Sequence, residues 1–84
     1  MISLDVSKYE IAIKHHVFIR AMERGIDPDM IEQTLWRGKV ERFGKHGIRF
    51  VNTGPKRTII CVGELVGDRL KIFTIEGDDD EKMR

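Results

Sequence analysis

The hydrophobic period changes once along this chain, at Gly38, and that change divides the fold into two kinds of structure. Before Gly38 the apolar residues recur at helical steps; after it they alternate, as in strands with one buried face. The later half reads as four strands over residues 40–43, 48–52, 58–66 and 69–75, with turns at 44–47, 53–56 and 67–68. Gly67-Asp68 between two β runs is a two-residue hairpin signal. Short turns throughout imply an antiparallel meander.

The earlier half predicts two helices. The first is expected over residues 8–24, where Ser7 and Glu10 have capping-box spacing, Val6 and Ile11 form a hydrophobic staple, and Gly25 ends the helix. Ile11, Phe18, Ile19 and Met22 share one face with His15, which places His15 in the core; Tyr9, Ile13 and Val17 flank the opposite side. The second helix is expected over residues 28–37, with Asp27 as N-cap, Pro28 at its first position, a staple of Ile26 and Ile31, and Gly38 at its end. Met30, Ile31 and Leu35 give it an apolar stripe, and Trp36 reads as a core anchor. The expected fold class is α+β: two N-terminal helices packed on one face of a four-stranded antiparallel β meander. Residues 1–76 form one domain and residues 77–84 an acidic, solvated tail.

Pairing Val66 with Arg69 sorts the two faces of this sheet. Cys61/Thr74, Gly63/Ile72 and Leu65/Leu70 then share a face with Ile48, Phe50 and Ile59, which should carry the helices. The opposite face collects Arg42, Arg49, Thr58, Glu64 and Lys71 together with Ile60, Val62, Phe73 and Ile75. It is too apolar for a plain solvent face and too charged for a core, so it reads as a binding surface.

With 84 residues, 40% apolar and 35% charged, the chain has the composition of a single soluble globular domain. One cysteine excludes an intramolecular disulfide and a cysteine-based zinc site, and Cys61 within Ile59-Ile60-Cys61-Val62 reads as a buried small hydrophobe. No apolar stretch approaches the ~20 residues of a membrane span, and the first residues lack a signal-peptide layout, so a cytoplasmic location without a membrane partner is expected. The net charge of +1 conceals a polarity along the chain. Residues 37–57 hold seven bases against Glu41 alone, while Asp78, Asp79, Asp80 and Glu81 offset them. A local basic field of this kind suits an anionic partner such as nucleic acid.

The chemistry concentrates on the first helix. His16, Arg20 and Arg24 are spaced four residues apart, and each such step turns a helix by only about 40°, so the three form one ridge. An imidazole with two guanidinium forks can hold a phosphate and move a proton beside it. The same spacing also suits a solvated basic edge that pairs with nearby carboxylates.

The pattern His16-x3-Arg20-x3-Arg24-Gly25-Ile26, followed by a short helix ending at Gly38 and a meander closing on Ile72-Phe73-Thr74-Ile75, resembles a prokaryotic domain-of-unknown-function family. That family is grouped with the RelE-like and BrnT-like ribonuclease toxins, which share a barnase-type helix-then-sheet fold. The similarity covers roughly residues 10–76, and its sharp part is the five-residue helix signature. The family usually places a methionine directly after its first arginine; here Ala21 stands there and Met22 follows. The resemblance implies a two-layer α+β fold and action on RNA, with the signature carried by His16, Arg20 and Arg24 and the closing-strand threonine by Thr74.

Two functions compete. In the first, a metal-independent, toxin-type ribonuclease, Arg20 and Arg24 hold the phosphate and His16 moves the proton, while Arg49, Lys56 and Arg57 track the RNA backbone. His46 is a rival for the imidazole role, and Glu64 is a rival base on the open sheet face among Arg42, Arg49 and Lys71. The alternative is a non-catalytic RNA- or protein-binding module, in which the open face takes an antitoxin partner or a second copy of the chain. One Tyr and one Trp leave few platforms for base stacking, which favours protein over RNA as the partner of that face. No cofactor is expected, because no phosphate loop, nucleophile elbow or dinucleotide fingerprint is present. No metal is expected either, since His15 and His16 point about 100° apart on a helix.

Overall fold

All four alternating segments after Gly38 become strands at the expected places, and a further strand forms where helix was expected. The structure, a computed structural model, describes residues 6–55 and 57–79. In chain order the elements are a 3-10 turn at Val6–Lys8, strand β1 (Glu10–Ile13), helix α1 (His15–Glu23), helix α2 (Pro28–Arg37), and strands β2 (Lys39–Phe43), β3 (Gly47–Thr53), β4 (Arg57–Val66) and β5 (Arg69–Asp79). One five-stranded sheet results, in the order β1-β5-β4-β3-β2. The last four strands are an antiparallel meander, and β1 joins its edge in parallel with β5. The fold is therefore α+β with two helices, but its sheet is mixed and has one strand more than expected.

The expected first helix is overturned over its first half. Glu10 donates its backbone N–H to the Asp68 carbonyl at 2.8 Å, and Ile11 and Ile13 pair opposite Leu70 and Ile72. Two β-branched residues beside an unpaired strand edge gain ladder hydrogen bonds that a local helix would leave unmade on β5. Lys14 is extended, and α1 starts only at His15. That shortening changes which helix face is buried. Val17 and Ala21 enter the core, while His15, Ile19 and Met22 are exposed, so His15 is not the core residue expected.

The C-terminal end of α1 forms as expected. Gly25 has φ +81°, the Ile26 N–H donates to the Ala21 carbonyl at 2.9 Å, and the Gly25 N–H donates to the Met22 carbonyl at 3.0 Å. This double closure sends Ile26 directly into the core. The Asp27 carboxylate then accepts from the Met30 N–H at 2.9 Å and starts α2. Ile31, Thr34 and Leu35 are buried, and the Thr34 hydroxyl is satisfied by donating to the Met30 carbonyl at 2.8 Å. Trp36, one step around from Leu35, is 55% exposed and does not anchor the core.

Both helices pack on one sheet face, α1 against β5 and α2 against β3 and β4. That face supplies Ile48, Phe50, Ile59, Cys61, Leu70, Ile72 and Ile75 to the core. Three residues, Thr74, Ile75 and Arg42, depart from the expected faces. The register of β4 with β5 shifts between Val62 and Gly63, so Cys61 opposes Ile75 and Val62 opposes Thr74, leaving Phe73 as the additional residue of a bulge. Ile75 therefore takes the core place expected for Thr74, and Thr74 is exposed. On β2, Arg42 opposes Ile48 and Glu41 opposes Arg49. Arg42 thus lies at the edge of the helix-bearing side, and Glu41 replaces it on the open face. The last strand continues through Gly77 to Asp79, so the first residues of the expected tail pair with β4; residues 80–84 lie outside the described residues.

Gly63 shows what the bulge demands. A Cβ at this position would lie 1.9 Å from the Lys71 carbonyl oxygen. Gly63→Ala should lower unfolding free energy in urea by about 2–4 kcal/mol, and a change below about 0.5 kcal/mol would contradict this close approach. Burial also pushes the Cys61 thiol up from its ordinary 9.0 to about 12. The unfolded chain then loses this proton first, so stability from the neutral thiol is complete below about pH 9 and falls as pH rises toward about 12. Cys61→Ala should flatten that fall; identical alkaline profiles for the two proteins would show the thiol is not buried.

Candidate functional site

β1 covers the outer edge of β5 only over residues 69–72. Beyond Ile72 no strand among the described residues covers that edge, and α1, which follows β1, packs against β5. The ridge of α1 and the bulged part of β5 consequently face each other. His16, Arg20 and Arg24 line one side of a cleft of about 250 Å³, and Phe73, Thr74, Ile75 and Glu76 line the other. Arg24 Nη1 donates to the Ile75 carbonyl at 3.4 Å, which ties the end of the ridge to the strand edge.

The burial of Val17 and Ala21 explains why the ridge borders a packed surface: its neighbours on the helix are the two residues that dock on the sheet. His16, Arg20 and Arg24 remain exposed toward the cleft. Among the described residues the ion pairs are Glu41–Arg49 and Glu10–Arg69, and no carboxylate of these residues pairs with Arg20 or Arg24. His16, Arg20 and Arg24 of α1 and residues 73–76 of β5, Thr74 and Glu76 among them, thus border one small space. Such a set can bind a phosphate bidentately and exchange protons with groups attached to it.

Glu76 was missed in the sequence. An unbroken register puts it opposite Ile59 on the core side, whereas the bulge places it opposite Ile60. The signal for the bulge was Gly63, a glycine within an otherwise β-branched strand.

The remaining candidates lie elsewhere. His46 sits in the β2–β3 turn, where its carbonyl accepts from the Leu65 N–H at 2.8 Å, and it does not line the cleft. Glu64 opposes Lys71 and Gly47 on the open face, again away from the cleft. Arg49 is on that face too, but its Nε donates to Glu41 at 2.7 Å and a second guanidinium nitrogen also contacts Glu41. With Arg42 on the other side and Arg49 paired, the Glu64 surroundings are less cationic than expected. Arg57 donates from Nη1 to the Gly25 carbonyl at 3.1 Å, where a cation suits the C-terminal end of α1. Lys56 lies outside the described residues. A larger depression of about 460 Å³ follows α2 along Asp29, Glu32, Trp36 and Arg37, and its two carboxylates against one guanidinium make it a poorer seat for phosphate. Among the described residues no group of three or more His, Cys, Asp or Glu gathers to hold a metal, and no helix is long and apolar enough to cross a membrane.

Inorganic pyrophosphate, titrated by calorimetry, should bind in the cleft and lose roughly tenfold or more in affinity in Arg20→Ala or Arg24→Ala. Arg49→Ala should bind as the wild type does; equal weakening by all three would mean diffuse charge rather than a built site. No protein-family model, curated protein or solved structure matches the chain.

Proposed function

We propose that the cleft between α1 and the bulged half of β5 binds an RNA phosphodiester and cleaves it without a metal. The observation that supports this reading is that His16, Arg20 and Arg24, with no ion pair to them among the described residues, line a cleft of about 250 Å³ together with Thr74 and Glu76. The helix signature that resembles toxin-type ribonucleases agrees with it, and that resemblance rests on the signature alone.

Arg20 and Arg24 grip the non-bridging phosphate oxygens, and the Thr74 hydroxyl donates to the same group. Glu76 accepts the proton of the ribose 2′-hydroxyl as its oxygen bonds to phosphorus. The bond from phosphorus to the 5′ oxygen breaks, and protonated His16 donates a proton to that leaving oxygen. A 2′,3′-cyclic phosphate and a free 5′-hydroxyl result. The two guanidinium groups stabilise the additional charge on the five-coordinate phosphorus, the step at which fixed cations act most strongly.

Exposed Phe43, Val66 and Phe73, at 50%, 45% and 39%, favour a second reading in which the sheet's open side docks a protein. One experiment separates the two. Incubated with a single-stranded RNA in the presence of a chelator, the wild type should generate cyclic-phosphate ends. His16→Ala and Glu76→Gln should each be slower by roughly 10²-fold or more. A 2′-deoxy residue at the scissile position should abolish the reaction. Intact RNA with wild-type protein, together with sedimentation as a dimer, would replace the enzyme by the docking module.

A further inference from the structure

Phe73 is the residue of β5 that the sheet leaves without a neighbour. β1 pairs with β5 only as far as Ile72, and the register shift against β4 leaves Phe73 between the Gly63–Ile72 and Val62–Thr74 pairs. The large side chains of a strand are normally covered by the residues opposite them. Among the described residues Phe73 has no such residue on either side, and 39% of it stays exposed. Bulges re-aim side chains in this way, often beside functional sites.

Phe73 also borders the cleft whose other side carries His16, Arg20 and Arg24. A space of about 250 Å³ is small for a whole nucleotide. A phosphate and its sugar fill it, and the attached base leaves over one of the bordering residues. Two of those residues carry rings, His16 and Phe73. His16 is engaged with the proton of the leaving oxygen, which leaves Phe73 for the base. The other exposed apolar residues of the sheet, Phe43 and Val66, do not border the cleft.

We propose that Phe73 is the platform on which the base next to the bound phosphate stacks, so that the substrate is unpaired RNA. The proposal rests on the phosphodiester reading of the cleft. A base inside a duplex has both faces covered by its neighbours in the stack, whereas a splayed-out base can lie on an aromatic side chain. Every base offers such a face, whatever its identity. No Asn or Gln borders the cleft, and both arginines hold phosphate, so the base edges go unread. Pairing state rather than sequence therefore decides what is bound.

A non-cleavable deoxydinucleotide and the same sugar-phosphate without bases are titrated into the full chain by calorimetry. The wild type should bind the dinucleotide roughly tenfold tighter. Phe73→Ala should remove that advantage while leaving the base-free ligand unaffected, and Phe73→Leu, which keeps the apolar bulk, should remove it too. Arg20→Ala should weaken both ligands alike. At physiological ionic strength a single strand should displace the dinucleotide at lower concentration than the same strand within a duplex. Equal affinity for the two ligands, an advantage that survives Phe73→Ala or Phe73→Leu, or a duplex that competes as well as the single strand overturns the stacking platform alone. Binding that Arg20→Ala leaves unchanged, or no binding of either ligand, overturns the phosphate cleft and the platform with it.

Discussion

The outer edge of β5 finds two different hydrogen-bond partners along its length. Over residues 69–72 the partner is β1, a short parallel strand taken from a segment with helical spacing. Beyond the bulge at Phe73 no strand of the described residues follows, and the Arg24 guanidinium reaches the Ile75 carbonyl. Unmade backbone bonds at a buried edge cost about 1–3 kcal/mol each, enough to override the weak helix preference of four residues. The exchange of partners halfway along β5 is what opens a cleft, since a helix cannot lie as close to a strand edge as another strand does.

The chemistry follows from that exchange. A helix running beside the edge presents residues four apart, and here those are His16, Arg20 and Arg24. The bulge turns Thr74 outward, carries Ile75 into the core and shifts Glu76 off the core side. Gly63 permits the bulge because it lets the Lys71 carbonyl approach where any side chain would collide. A packing device in the middle of the sheet therefore decides on which side of the sheet Thr74, Ile75 and Glu76 stand. The Schellman closure at Gly25 has a similar double effect, seating Ile26 in the core and holding a carbonyl for Arg57.

Much of this was legible beforehand because it depends on short-range chemistry. The second helix, its Asp27 cap, the left-handed Gly25 and the hairpin at Gly67-Asp68 are read from a few adjacent residues whose conformational limits are strong. The ridge was legible because i, i+4 spacing survives even when a helix is shortened. What escaped depended on partners distant in sequence. Residues 10–13 fit helix or strand, and only the vacant β5 edge decides between them. Trp36 and His15 were assigned to the core from type and spacing, but Leu35 and Val17 already fill the places they would need. Arg42, Thr74 and Ile75 were put on the wrong faces by one residue, the first by the start of β2 and the other two by the bulge. Period-two patterns have no tolerance for such a slip.

Amide chemical shifts recorded while a non-cleavable deoxydinucleotide is titrated would test the central claim most directly. The account predicts that the largest perturbations fall between His16 and Gly25 on α1 and from Phe73 to Gly77 on β5. Changes centred on Arg49, Glu64 and Lys71 of the open face, with the α1 ridge silent, would contradict it.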